Sequence, residues 1–346
     1  MIELFEPKAS RSVMADWVEL TALIAAHGTA SWGDLVRSQQ VRDEADHRVE
    51  RDEISGEDLD GEITDSRYED LASEVGDELQ FRSDSLRELY PFVFAVVRGR
   101  WTLTVRPTLA GGDTSAFLTY KTCLLISGFR RSLLRSPSKE HTSAIADCMQ
   151  RVAYLVAGEV VGGDAHWFGW PRPDSTTTMR TGLEKLVERL RHGDIKVKDP
   201  EWTSGHEKDA GVDIVAWRSF LDGRPGSLVL FGQVASGLDW TEKPVSPDFL
   251  NAYFNDWFID QPSAHYLPAT FIPFMQHDNC KPRSGQSFED AAAGKARQNE
   301  ILHGLVIDRL RLCELADAAE AGRAAKLSDE RAVNEWFATS LQLAAA

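Results

Sequence analysis

One aspartate constrains this chain more than any other residue. Asp213 stands inside an otherwise apolar run, Val212-Asp213-Ile214-Val215-Ala216-Trp217. A carboxylate withdrawn from water costs several kcal/mol or more unless it is paired, hydrogen-bonded or bound to a metal. The run is preceded by a helical segment, Leu183-Glu184-Lys185-Leu186-Val187-Glu188-Arg189-Leu190, and by a polar loop ending at Gly211. A turn at Asp222-Gly223-Arg224-Pro225-Gly226 leads to a second apolar run, from Leu228 through Gln233 and Val234 to Ala235. The pattern predicts helix, strand, hairpin turn, strand. Strand side chains alternate faces, so Asp213 shares a face with Val215, and Gln233 shares one with Phe231 and Ala235. In a hairpin of suitable register Asp213 and Gln233 lie side by side, and Glu184 comes over them from the helix. Three oxygen-bearing side chains at one point are what a hard divalent cation such as Mg²⁺ takes. Each residue also has an ordinary use. Glu184, or Glu188 one turn on, can be a solvated helix face; Gln233 can bond within the sheet; Asp213 can pair with a core arginine.

Composition bounds the alternatives. The chain has 346 residues, which suggests two domains, and 42% of them are hydrophobic. A formal net charge of -16 argues against a protein that grips nucleic acid through its whole surface. It leaves room for a local basic groove or a partner that supplies one. Cys123, Cys148, Cys280 and Cys313 form no Cys-x-x-Cys pair and have no histidine placed for a zinc site. They read as reduced, mostly buried thiols. The start of the chain is acidic and lacks the form of a signal peptide. No apolar run approaches the ~20 residues of a membrane span. A cytoplasmic protein without a membrane partner is expected.

Along the chain, residues 10–40 read as two helices broken at Gly28, the second capped by Ser31 with Asp34 in its first turn. Residues 43–79 are crowded with Asp and Glu. They read as a solvated loop and a polar helix, with a DNA-mimicking or autoinhibitory segment as the sharper reading. Trp101–Val105 looks extended, and helices are expected at 119–134 and 138–160. Gly162–Pro173 reads as a loop between halves. The expected domains are therefore a mostly α-helical unit over 1–160 and a second unit over 161–346. In the latter, a helix is expected at 176–190 and another at 247–259. Strands are expected at 269–274 and 305–310, and helices at 312–324 and 329–343. Strands alternating with helices indicate a mixed α/β sheet.

The order helix with Leu183-Glu184, then Gly211-Val212-Asp213, then Gln233-Val234-Ala235, resembles the PD-(D/E)xK nuclease superfamily, and within it the Mrr-type restriction endonucleases. The resemblance covers about sixty residues, with a looser match in strand order to Arg311. It implies a restriction-endonuclease-like mixed sheet flanked by helices, and metal-dependent hydrolysis of DNA phosphodiester bonds with Mg²⁺ or Mn²⁺. Asp213, Gln233 and the Val234 carbonyl would form the metal shell, and Glu184 would hold a metal-bound water or a second metal. The chain departs from the family where its lysine belongs, because Ala235 stands there. Lys243 is the first candidate to replace it, with Lys208 and Arg218 behind. The resemblance further implies antiviral defence or restriction, on double-stranded DNA, beside a protein partner such as an ATPase. A homo-oligomer is compatible with it. The competing expectation is a catalytically inactive subunit of the same fold that serves as a binding module. Asp308-Arg309-x-Arg311 reads as an ion-paired strand end.

Overall fold

The computed structural model describes residues 2–6, 8–51, 61–107, 113–135, 138–173, 176–203, 209, 211–224, 227–243, 256–263, 265–319 and 326–345, with side chains omitted over 42–66. The chain opens with α1 (Arg11–Ile24), whose first turn is capped by Ser10. Gly28, at φ +65°, takes the left-handed turn that ends it. β1 (Thr29–Ser31) leads into α2 (Trp32–Arg51), where Asp34 accepts from both the N–H and the hydroxyl of Ser31. Next come α3 (Gly61–Leu86), β2 (Phe92–Val97) and β3 (Arg100–Val105), the last two forming a hairpin. These strands build an antiparallel sheet in the order β1-β3-β2. α4 (Ser115–Arg130) and α5 (Lys139–Val161) follow.

α5 stops at Gly162, which is left-handed at φ +65°. A Cβ on Gly163 would sit 2.1 Å from the Trp217 carbonyl oxygen, so only glycine lets the chain turn there against the sheet. The turn opens β4 (Asp164–Trp167), inside a stretch expected to be loop. Four residues bounded by glycines and a proline give too short a pattern to read. α6 (Met179–Leu190) is held by a Thr178/Thr181 capping box. β5 (Asp194–Ile195), β6 (Ile214–Arg218), β7 (Leu228–Val234), β8 (Phe258–Asp260) and β9 (Tyr266–Phe271) come next. α7 (Phe288–His303) crosses over to β10 (Leu305–Ile307), followed by α8 (Arg309–Ala318) and α9 (Leu327–Ala345). The helix expected over 247–259 falls mostly outside the described residues, and its last two positions lie in β8.

The main sheet has the order β10-β9-β7-β6-β4. β4, β6 and β7 run antiparallel; β7, β9 and β10 run parallel. The mixed α/β class expected from the sequence is present. The sheet is covered on both faces. Ile214, Ala216 and Leu230 join α5 in one core, whereas Val215, Trp217, Val229 and Phe231 meet Leu183 and Leu186 of α6 in another. The larger core does not divide near residue 160. It runs from Leu20 and Leu125 through Val156 to Phe271, Ile307 and Val333, because α8 and α9 pack back onto α4 and α5. Two separately cored units at 1–160 and 161–346 do not describe this packing.

Deep in that core lies a charge network. Arg309 grips Asp16 with two N–H groups at 2.8 and 2.9 Å, and Arg82 reaches Asp16, Glu19 and Glu78 at 2.8, 2.9 and 2.8 Å. Tyr90 and Tyr120 both donate to Glu19, Ser127 donates to Asp16, and His277 meets Glu78 at 3.1 Å. These side chains are essentially out of water. Burial alone would raise Asp16 and Glu78. The guanidiniums of Arg309 and Arg82 outweigh it for Asp16, holding it well below the carboxylate range. Arg82 and His277 bring Glu78 down to about 2. Of the ion-paired strand end read at Asp308-Arg309-x-Arg311, Arg309 is ion-paired, with a partner almost three hundred residues away in sequence, whereas Asp308 caps the helix that follows and Arg311 bonds the Val306 carbonyl.

Removing one partner strands a buried charge. Arg309→Met is expected to cost roughly 3–5 kcal/mol, measured by urea unfolding. Groups bound in the ionised form contribute stability above their unfolded pKa values, here 3.8 and 4.5, and lose it as pH falls toward the folded values. The urea midpoint of the wild type should accordingly fall steadily below pH 4.5.

Candidate functional site

The expected hairpin forms, with the ladder running from Arg218 opposite Leu228 to Ile214 opposite Gly232. Asp213 lies one residue before the end of that ladder. The Asp213 N–H donates to the Gly232 carbonyl at 2.8 Å, and its carbonyl accepts from Phe168 and Gly169 at 2.8 and 2.7 Å. Gly211, at φ +77°, turns the chain into this position. A Cβ on Gly169 would stand 2.4 Å from Oδ1 of Asp213, so the carboxylate fills the space a side chain would need.

Two neutral donors hold the carboxylate. Oδ1 accepts from Nε2 of Gln150 on α5 at 2.8 Å, and Oδ2 accepts from the Val234 N–H at 2.7 Å. No arginine among the described residues pairs with it. Burial, reinforced by the charge of nearby Asp209, therefore prevails over these bonds and the more distant Lys243, and Asp213 is pushed up to about 7. Asp209 is itself fixed by the N–H groups of Trp170 and Gly211. On β7, next to Val234, Oε1 of Gln233 is buried without a hydrogen-bond partner among the described residues. An orphaned amide oxygen of this kind can accept from a ligand or coordinate a cation.

The other expected site residues stand as follows. Glu184 does not join this point. It lies on the outer face of α6, its side chain is 55% exposed, and its ion-pair partner is Arg180 at 3.9 Å. α6 packs on one face of the sheet, and Asp213 leans to α5 on the other. Glu188 is exposed on the same outer face. Val234 offers Asp213 its N–H; its carbonyl was the expected ligand. Ala235 is buried, its N–H bonded to the Phe271 carbonyl. Lys243 pairs with Asp239 at 2.8 Å, in reach of solvent and near enough to Asp213 to favour its ionised form. Arg218 ends β6 at the far end of the sheet, and Lys208 is outside the described residues.

Two residues escaped the sequence reading. Gln150 sits beside Cys148 and Met149 on an amphipathic helix, and nothing in that pattern singles it out. Arg130, at the end of α4, donates to Ser236 at 3.1 Å, bringing a second cation to the strand end beyond Gln233. A cleft of about 340 Å³ opens beside it, where Trp240, Phe274, Gln276 and Lys295 lie at the carboxyl ends of β7 and β9. Ligands of open α/β sheets gather at such strand ends.

Among the described residues, no group of three or more His, Cys, Asp or Glu could by itself hold a metal ion. No described helix is long and apolar enough to cross a membrane. Comparisons with protein-family models, with curated proteins and with solved structures find no match.

A carboxyl titrating at about 7 instead of 3.8 opposes folding once it is ionised. Stability tied to its neutral form is complete below 3.8 and is lost as pH rises through about 7. Asp213→Asn should hence be more stable than wild type by roughly 2–4 kcal/mol at alkaline pH and no more stable in acid. Thermal melts across this range check it.

Proposed function

We propose that this chain is a metal-dependent nuclease that hydrolyses DNA phosphodiester bonds, acting as the effector of a defence or restriction system. The observation that carries the reading is Asp213, a carboxyl at the start of β6 that burial pushes up to about 7 and that only Gln150 and the Val234 N–H hold. On the neighbouring strand, next to Val234, Gln233 has a buried amide oxygen with no partner among the described residues. All the donors are hard oxygens, which fits Mg²⁺ or Mn²⁺. Asp213 and Gln233 would hold the ion, with the Val234 carbonyl as a further oxygen. A bound ion supplies Lewis-acid polarisation of the phosphate and a more acidic water. The chain's own residues do the rest. Gln150 and the Val234 N–H fix the carboxylate's orientation, Gly169 leaves space for it, and Lys243 offers positive charge for the developing phosphorane. Arg130 adds a second positive charge at the strand end. The mixed sheet, with the acidic residue at the start of its second antiparallel strand, is compatible with the resemblance in strand order.

Two departures favour the second reading, a binding subunit of the same fold without catalysis. Ala235 replaces the family's lysine, and Glu184 supplies no second carboxylate. The acidic surface, at a net charge of -16, makes a partner that captures DNA an integral part of either reading.

A plasmid-cleavage assay with Mg²⁺ and with Mn²⁺ separates them. The nuclease reading expects nicking or linearisation by wild type, its loss in Asp213→Ala, and a loss of about a hundredfold or more in Lys243→Ala. Cleavage that survives Asp213→Ala rejects the assigned site. If wild type does not cleave but binds Mn²⁺ through Asp213 in calorimetric titration, the binding subunit is favoured.

A further inference from the structure

The cleft of about 340 Å³ at the carboxyl ends of β7 and β9 has no part in the proposed cation site. Gln276 forms part of its wall. This residue is only 8% exposed, and its backbone is engaged on both sides. Its N–H donates to Asp308 at 3.2 Å, and its carbonyl accepts from Asn299 at 2.7 Å. Its side-chain amide makes no hydrogen bond among the described residues. A buried amide ordinarily finds partners for both its NH₂ and its oxygen inside the protein. Here both groups are left to whatever fills the cleft.

Charge and shape narrow the ligand. Lys295 stands one turn before Asn299 on α7, hence beside Gln276, and it pairs with no carboxylate among the described residues. Arg131 is pinned in the wall, bonded to Asp278 at 2.6 Å and lying 5.0 Å over the ring of Phe274. Asp278 also lines the cleft, and it is already matched by that guanidinium, by the Ser10 hydroxyl and by the Asn279 N–H. Two cations against one carboxylate leave the cleft positive, in a chain with 54 acidic and 38 basic residues, so it selects an anion. Trp240 and Phe274 give it an apolar floor, with Leu238 exposed at the rim. Small-molecule sites run from roughly 300 to 1,000 Å³, so this one admits a single small molecule. We propose that the cleft binds one nucleotide. Gln276 reads an edge of the base with its adjacent donor and acceptor, as amides do at base edges. The base rests on the apolar floor, and Lys295 and Arg131 supply the charge that meets the phosphate. The nucleotide comes either free from solution or as an unpaired unit of a nucleic-acid strand. Binding here needs no metal and is independent of the nuclease reading.

Calorimetric titration of the full chain in EDTA tests it, with AMP, GMP, CMP, UMP and ribose 5-phosphate as probes. At least one nucleotide is expected to bind about tenfold tighter than ribose 5-phosphate, which lacks the base. Gln276→Leu should abolish that advantage and leave ribose 5-phosphate binding as before. Gln276→Met is the second variant and decides the matter if the leucine variant misfolds. Lys295→Ala should weaken every probe about tenfold without changing their ratios. Fluorescence anisotropy with short single-stranded DNA homopolymers separates the two sources. A homopolymer preference that Gln276→Leu removes, in a chain that ignores free nucleotides, assigns the cleft to a strand. If no nucleotide outbinds ribose 5-phosphate and no homopolymer is preferred, the proposal is overturned. A preference that survives both Gln276 substitutions overturns it equally.

Discussion

Three carboxylates and two guanidiniums meet almost without water where α1, α3 and α8 converge. Each charge there depends on the others. Isolated, any one would cost several kcal/mol; together they are satisfied by bidentate pairing and by tyrosine and serine hydroxyls. The network fixes more than itself. Arg309 lies two residues past the end of β10 and bonds the Pro273 carbonyl just beyond β9, and Asp278 is tied to both Arg131 and Ser10. The carboxyl ends of the parallel strands are thereby anchored to the N-terminal helices. The N-terminal helices and one face of the main sheet thus share a core, and the strand end bearing Gln233 is held against α4 and α5.

Asp16 and Asp213 show how environment assigns roles to the same side chain. Both are largely withdrawn from water. Burial pushes both up, but Asp16 is met by two arginines and is driven well below its ordinary range. Asp213 is met only by an amide and a backbone N–H, and it rises to about 7. The first is a structural anion whose charge is already neutralised. The second retains an unmet demand for positive charge, and the Gln233 oxygen on the neighbouring strand retains an unmet demand for a donor or a cation. Both demands point the same way. That is why the functional reading rests on this pair, and why Glu184, satisfied and solvated on α6, adds nothing to it.

Much of the fold was legible because it is local. The hydrophobic period fixed α4, α5, α6, β6 and β7 within a few residues, and Asp213 announced itself by polarity in an apolar run. The antiparallel pairing of β6 with β7 followed from the turn between them. What was not legible is long-range. Arg309 and Asp16 are adjacent in space through a folding path that no spacing encodes. Gln150 reaches Asp213 from a helix on the other face of the sheet from α6, so the expected converging helix was the wrong one. β4 was lost because glycines on one side and a Trp-Pro turn on the other disguise its four residues.

The central claim is that Asp213 belongs to a cation site. The direct measurement is a titration of its side-chain carbonyl carbon by nuclear magnetic resonance, with the signal assigned by its absence in Asp213→Asn. The account predicts a midpoint near 7 in metal-free buffer and a clear fall when Mg²⁺ is added, because the ion competes with the proton. A midpoint that does not move with Mg²⁺ or Mn²⁺, or one already near the ordinary value of 3.8, would contradict it.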